Sequence, residues 1–180
     1  MIIGVIVACE IGFWVLIALG LAARYILKRR RLGTVLLALT PVVDLVLLIA
    51  VGIDLRAGGT PTFAHALAAV YLGVSIAYGH RMIRWADVRF AHRFAGGPAP
   101  VTLYGWAYAK GCWVGLLHTI AATAIAAGTL WLLTVLAQPG VDLSGLTSAY
   151  RILGIILLAD TIWALGYTIW PKREPAPAAS

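Results

Sequence analysis

Three carboxylates, Glu10, Asp44 and Asp160, stand inside long apolar runs of this sequence. At a rise of about 1.5 Å per residue, each falls within about 4 Å of the centre of its run. A carboxyl group kept from water is held neutral, because desolvation disfavours the ionised form, and a neutral acid donates a hydrogen bond or hands on a proton. The functional reading is a proton relay or cation site, since ionisable groups inside apolar helices mark ion and substrate paths. The competing reading is structural: each acid, protonated, bonds a neighbouring helix and contributes about 0.6 to 2 kcal/mol. Both stay open.

Asp44 has additional context in Thr40-Pro41-Val42-Val43-Asp44. Pro41 lacks an N–H, which leaves the Leu37 carbonyl free, and Thr40 lies one helical turn from Asp44 on the same face. A kink, a free carbonyl, a hydroxyl and a carboxylate make a pocket suited to a cation. The plainer alternative is a proline kink satisfied by packing.

His80, Arg84 and Asp87 recur at i, i+4 and i+7 and share one helix face. They suit a phosphate headgroup, with Arg84 as the fork and His80 assisting. A local Arg84–Asp87 ion pair at the surface, worth under about 1 kcal/mol, is the simpler expectation. Of the four histidines, His65, His80 and His92 fall at or beyond the ends of apolar runs and only His118 lies well inside one. That distribution speaks against a haem held by paired histidines. Neither HExxH nor CxxC spacing occurs, so no metal and no cofactor is expected. Cys9 and Cys112 belong to opposite halves of the bundle and are not expected to bridge.

The elements that must position these groups are membrane spans. The chain has 180 residues, 62% of them hydrophobic and 12% charged, with a mean hydropathy of +0.93, whereas soluble domains carry about 25% charged residues. Five apolar runs, at about 2–23, 32–53, 62–80, 111–137 and 150–170, each reach the length of about 20 residues that crosses the hydrocarbon. Asp44 does not prevent insertion of the second, because its Leu, Val and Ile residues outweigh one acid. The fold expected is all-α: a polytopic five-helix membrane bundle, 1–171. Its first run has no basic residues before it and several after it, and so reads as a permanent anchor rather than a signal peptide.

Alternation of the spans puts Arg24, Lys28, Arg29, Arg30, Arg31, Arg81, Arg84, Arg89, Arg93, Lys110, Lys172 and Arg173 on one side, and Arg56 and Arg151 on the other. The positive-inside rule makes the first side cytoplasmic, with the N-terminus outside and the C-terminus inside a cell membrane. Tyr25, Trp85, Tyr104, Trp106, Tyr108, Trp113, Tyr167 and Trp170 gather at that boundary, and Trp131 and Tyr150 mark the other. The net charge of +7 is spread over juxtamembrane segments, which points to anionic lipid rather than nucleic acid as partner.

Between the third and fourth runs, Met82, Ile83, Ala86, Phe90 and Phe94 share a face opposite Arg81, Arg84, Arg89 and His92. That pattern predicts an interfacial amphipathic helix at 81–94, continuing from the third span, lying against the cytoplasmic leaflet and ending at Gly96-Gly97-Pro98. Residues 172–180, rich in Pro and Ala, read as a disordered tail. Gly4, Ala8 and Gly12 in the first run, and Gly115, Thr119, Thr123 and Ala127 in the fourth, form small-residue stripes that bring helices close, within the chain or against a second copy or another membrane protein.

The stretch Tyr78-Gly79-His80-Arg81-Met82-Ile83-Arg84-Trp85-Ala86-Asp87, followed by Arg89-Phe90-Ala91 and Arg93-Phe94-Ala95-Gly96-Gly97-Pro98, resembles a segment of small bacterial inner-membrane proteins, the YmcC-like group. The resemblance covers the first three spans and the loop, about half of the chain. It implies a location in the cytoplasmic membrane and carries no catalytic residues with it.

Three functional readings follow. The first is a small proton- or cation-coupled transporter using Glu10, Asp44 and Asp160. The second is a membrane subunit or scaffold whose acids hold helices together. The third is an intramembrane enzyme acting on lipid or isoprenoid, for which no reaction class is specified; the short exposed segments lean against enzymatic work.

Overall fold

A computed structural model describes residues 2–94 and 96–174. Met1, Ala95 and residues 175–180 lie outside the described residues, as do the side chains of Ile2, Ile3, Val5, Ile6, Glu10, Ala64 and Phe94. The described residues form six helices: α1 (Ile2–Tyr25), α2 (Arg30–Ala38), α3 (Thr40–Arg56), α4 (Phe63–Phe94), α5 (Gly105–Leu136) and α6 (Ser144–Ile169). Five segments are long and apolar enough to cross a bilayer, with α2 and α3 together making the second. In hydrocarbon every backbone group must be paired within its own segment, which is why runs of this composition become uninterrupted helices.

Successive spans run antiparallel. At one end the Gly105 N–H donates to the Lys172 carbonyl at 2.8 Å, joining the start of α5 to the end of α6. At the other, Gln138 Nε2 donates to the Arg56 carbonyl at 2.9 Å, joining the ends of α5 and α3. Most of the Lys and Arg residues therefore gather at the first end, called here the basic end. The tightest core lies toward the opposite end, where Val51, Leu55, Ala66, Ala69, Leu130, Leu133, Leu146 and Ala149 pack together. Large apolar side chains such as Ile11, Trp14, Ile155 and Ile162 point outward, as a lipid-facing surface requires.

Three expectations are refined in detail. The second run is not one helix: it breaks at Leu39, just before Pro41. Thr40 closes the break by donating its hydroxyl to the Leu37 carbonyl at 2.8 Å. The carbonyl that proline deprives of its N–H thus has a donor.

The third run and the amphipathic segment are one 32-residue helix, α4. At about 1.5 Å per residue it is about 48 Å long, well beyond a hydrocarbon core of about 30 Å. Its last turns continue the span, as expected, and pack on the end of α1, where Phe90 stacks on Tyr25 with ring centroids 3.9 Å apart. The tail is also tied at its root, since Lys172 accepts from Gly105 and its ammonium lies over Tyr108 at 4.9 Å.

Close helix approach occurs where a side chain would not fit. A Cβ on Gly33 of α2 would sit 2.7 Å from the Gly20 carbonyl of α1. One on Gly73 of α4 would collide with the Ala122 carbonyl of α5 and lie 3.2 Å from the Ala126 Cβ. In α1 the expected stripe behaves differently: added Cβ atoms at Gly4 and Gly12 would meet nothing within 4 Å.

Candidate functional site

Asp160 lies near the middle of α6, and the structure gives it a partner on each of two other helices in turn. Thr119 of α5 donates its hydroxyl to Asp160 Oδ2 at 2.5 Å. The Tyr78 hydroxyl of α4 lies 2.6 Å from Thr119 Oγ1 and 3.2 Å from the Gly115 carbonyl. Tyr78, Thr119 and Asp160 each sit within about 5 Å of the midpoint of their helix along its axis. The small residues that let α4 approach α5 at Gly73, and Gly115 one turn before Thr119, give the tyrosine room to reach across.

This chain of groups accommodates either state of the acid. With Asp160 ionised, protons point one way: Tyr78 donates to Thr119, and Thr119 donates to the carboxylate. With Asp160 protonated, every bond reverses: the acid donates to Thr119, Thr119 donates to Tyr78, and Tyr78 donates to the Gly115 carbonyl. No donor is stranded in either arrangement, which matters because an unpaired buried polar group costs more than the bond it replaces contributes. Such a reversible line of hydroxyls satisfies the carboxyl with or without its proton, without moving a helix.

An open groove of about 480 Å³ on the outer surface of the bundle adjoins it, lined by Tyr78, Thr119, Ile156, Ala159, Asp160 and Trp163. His118 stands beside it, its ring 5.6 Å from that of Tyr78. His118 Nδ1 lies 2.7 Å from the Val114 carbonyl; a carbonyl only accepts, so Nδ1 carries the hydrogen and Nε2 keeps its lone pair in the neutral ring.

Asp44 has other neighbours. Asp44 is buried at 3% exposure, and its Oδ2 has no hydrogen-bond partner; Ser75 of α4 is the hydroxyl that faces it. Its neighbours Val42, Val43 and Val46 line a groove of about 460 Å³ with Gly4, Ala8, Cys9 and Gly12 of α1. Asp44 and Asp160 belong to separate sites, one between α3 and α4 and one among α4, α5 and α6. Among the described residues no group of three or more His, Cys, Asp or Glu side chains is arranged to hold a metal ion. The side chain of Glu10 lies outside the described residues.

The expected His80, Arg84 and Asp87 face divides. Asp87 is taken by α1, 63 residues away: Arg24 Nε donates to Oδ1 at 2.5 Å, its Nη2 pairs with Oδ2, and the Tyr25 hydroxyl donates to Oδ1 at 2.8 Å. Arg24 also reaches α2, donating from Nη1 to Thr34 Oγ1 at 2.6 Å. The local Arg84–Asp87 pair is therefore not formed, because a bidentate guanidinium fork from α1 fits the carboxylate better than a neighbour one turn back. His80 and Arg84 remain exposed.

Sequence reasoning located Asp160 but missed its partners. Thr119 was legible only as a small residue, Tyr78 only as part of a family-like stretch, and Trp163 as the residue one turn after the acid. The usable signal was hydroxyl-bearing side chains at the depth of the acid on other spans.

Comparison with known proteins bears on what the chain is. It is 44% identical over 174 residues to the uncharacterized membrane protein YmcC of Bacillus subtilis (strain 168), a match that covers 96% of this chain and 94% of that protein. The chain belongs to the YmcC family. No family model matches it, and no solved structure matches it. Membership in the YmcC family makes it a bacterial integral membrane protein, in keeping with the five spans. The likeness first noticed over Tyr78–Pro98 and the first three spans extends through α5 and α6 as well, so Tyr78, Thr119 and Asp160 all fall within the matched length.

Proposed function

We propose that this YmcC-family chain is a small proton-coupled transport protein of the cytoplasmic membrane, in which Asp160 binds the proton. The observation that carries the reading is the line from Tyr78 through Thr119 to Asp160, with bonds of 2.6 and 2.5 Å, set at the wall of an open groove of about 480 Å³. A carboxyl used only as glue needs one partner on one helix. Here it has a two-hydroxyl extension satisfied in both protonation states, beside a space large enough for a small molecule. Asp44, buried without a second partner, is assigned a helix-holding role, and Thr40 caps the break before it.

In this reading the basic end faces the cytoplasm, by the charge asymmetry of the loops. Arg84 and His80, exposed on the extension of α4, join Arg89 and the Lys28–Arg31 cluster in facing anionic headgroups, at about 1 kcal/mol per basic residue near a charged leaflet.

The test uses purified protein in vesicles with an imposed pH gradient. Wild-type protein speeds collapse of the gradient and Asp160→Asn does not, while Asp44→Asn retains the activity. Equal collapse by wild type and Asp160→Asn defeats the proposal.

A scaffold is the second reading, favoured by Arg24, which ties α1, α2 and α4 together through Asp87 and Thr34. It expects Asp160→Asn to lower thermal stability while leaving proton movement as in wild type.

A further inference from the structure

The walls of the Asp160 groove specify more than a proton. Its six lining residues give one carboxylate, two hydroxyls, two aromatic rings and two aliphatic side chains. Each part excludes a class of cargo. An anion would meet the carboxylate with no cationic side chain among the lining residues. A bare metal cation needs several oxygen ligands in a tight shell, but the groove is wide and apolar, and no metal-holding group of acids exists among the described residues. A neutral hydrophobe would need no carboxylate and would leave it without a counter-charge.

From this we infer that the site takes a hydrophobic organic cation, an amine or quaternary ammonium with an apolar body, in exchange for the proton on Asp160. The inference rests on the proton-binding role proposed above for Asp160. The positive nitrogen sits between the carboxylate and the faces of Tyr78 and Trp163, where ring quadrupoles attract a cation. Its apolar body lies against Ile156 and Ala159. Trp163 is 57% exposed on the outer surface of the bundle, so the groove opens sideways, toward the bilayer in which such amphiphiles accumulate.

Exchange follows from charge. One carboxylate balances one positive charge, so the proton and the organic cation compete for the same oxygens. The proton displaced from Asp160 passes to water at the mouth of the site, and the hydroxyl line reverses, so that Thr119 donates to the ionised oxygen and Tyr78 donates to Thr119. The titratable and charged groups bordering the site are few. α4 contributes Tyr78 and Arg81, the latter with its guanidinium 3.9 Å from where a Gly115 Cβ would stand; α5 contributes His118; and α6 contributes Asp160 itself. Arg81 lies one turn nearer the basic end and repels a second cation from that side.

The test uses the full chain in detergent, with benzyltrimethylammonium as the probe and neopentylbenzene, its uncharged isostere, as the control. Calorimetry should show binding of the cation and not of the hydrocarbon, proton release into weak buffer on binding, and weakening affinity as the pH is lowered. Asp160→Asn should weaken binding by about thirtyfold or more. Trp163→Ala should cost about tenfold, and Trp163→Phe should keep affinity within about threefold of wild type. Should Asp160→Asn fail to fold, proton release by the wild type and the Trp163 pair decide alone. Equal binding of the uncharged isostere, or cation binding with no proton release at any pH, overturns the inference. Asp160-dependent collapse of a pH gradient without any cation binding overturns the cargo and leaves the proton reading intact. Absence of both overturns both.

Discussion

The Thr119 hydroxyl donates to Asp160 Oδ2 at 2.5 Å, joining α5 to α6, and Thr119 Oγ1 also lies 2.6 Å from the Tyr78 hydroxyl of α4. Thr119 is thus the hinge of the site, the single group through which the acid communicates with the third helix. Its two lone pairs and one hydrogen let it donate to one partner while accepting from the other, in either direction.

Replacing Thr119 by Val keeps the shape and removes the hydroxyl. Thr119→Val should slow proton movement in vesicles about tenfold or more, as a positioned proton donor or acceptor commonly contributes at least that much. It should lower stability by only about 0.6 to 2 kcal/mol, the range for a hydrogen bond between membrane helices. A normal rate in this variant removes Thr119 from the proton chemistry of Asp160.

Tyr78→Phe cuts the far end of the line and leaves the Thr119–Asp160 bond in place. Proton movement should fall while thermal unfolding shifts little, by about 0.5 to 1.5 kcal/mol for one neutral hydrogen bond. A variant that unfolds readily instead would make Tyr78 a structural residue.

At the basic end, Arg24 and Asp87 should be coupled, with Tyr25 a smaller contributor. Their side chains are 13% and 34% exposed, so solvent screening holds the pairwise term to about 1 kcal/mol. A double-mutant cycle of Arg24→Gln and Asp87→Asn, read by thermal unfolding, measures it. Single variants whose effects simply add would show that the pair does not join α1 to α4.

Gly73→Ala should disturb the α4–α5 crossing, since the new Cβ would collide with the Ala122 backbone carbonyl. Overpacking of this kind costs about 1 to 3 kcal/mol. The matching change at Gly12, where a Cβ would meet nothing within 4 Å, should leave stability unaltered.

Asp142, in the loop before α6, accepts from the Ser144 N–H at 2.9 Å and the Ser144 hydroxyl at 2.8 Å. These two bonds hold its pKa below the ordinary carboxylate value. A depressed folded-state pKa means that the carboxylate favours folding above its unfolded value and loses that contribution as the pH falls through the folded one. Protection of the amides in the first turn of α6, taken relative to their intrinsic exchange rates, should therefore fall at acid pH in wild type, and show less pH dependence in Asp142→Asn. Identical acid profiles for the two would separate the loop from the start of the helix.

The spans were legible because length and apolar content decide insertion almost by themselves. The break before Pro41 was legible too, since proline removes a specific N–H; that Thr40 would supply the replacement donor was not. The continuation of α4 through 81–94 was legible in its helical period; its packing on Tyr25 was not, because an amphipathic period looks the same whether its apolar face meets lipid or another helix. Asp87 was assigned to Arg84, its near neighbour in sequence, and the actual partner Arg24 was hidden by the intervening 63 residues.

Common depth did not mean common partners for Asp44 and Asp160. Position along a helix follows from counting residues, but the direction a side chain faces depends on how helices cross. Gly73 and the Ala122–Ala126 face set that crossing for α4 and α5. Asp44 consequently faces Ser75, while Asp160 reaches Thr119 and, through it, Tyr78.

Infrared difference spectroscopy across a pH titration tests most directly whether Asp160 takes and gives up a proton inside the bundle. The account predicts a protonated-carboxyl band that appears on acidification, is lost in Asp160→Asn, and shifts in frequency in Thr119→Val as its hydrogen-bond partner is removed. A titrating carboxyl band that is unchanged in Asp160→Asn would contradict it.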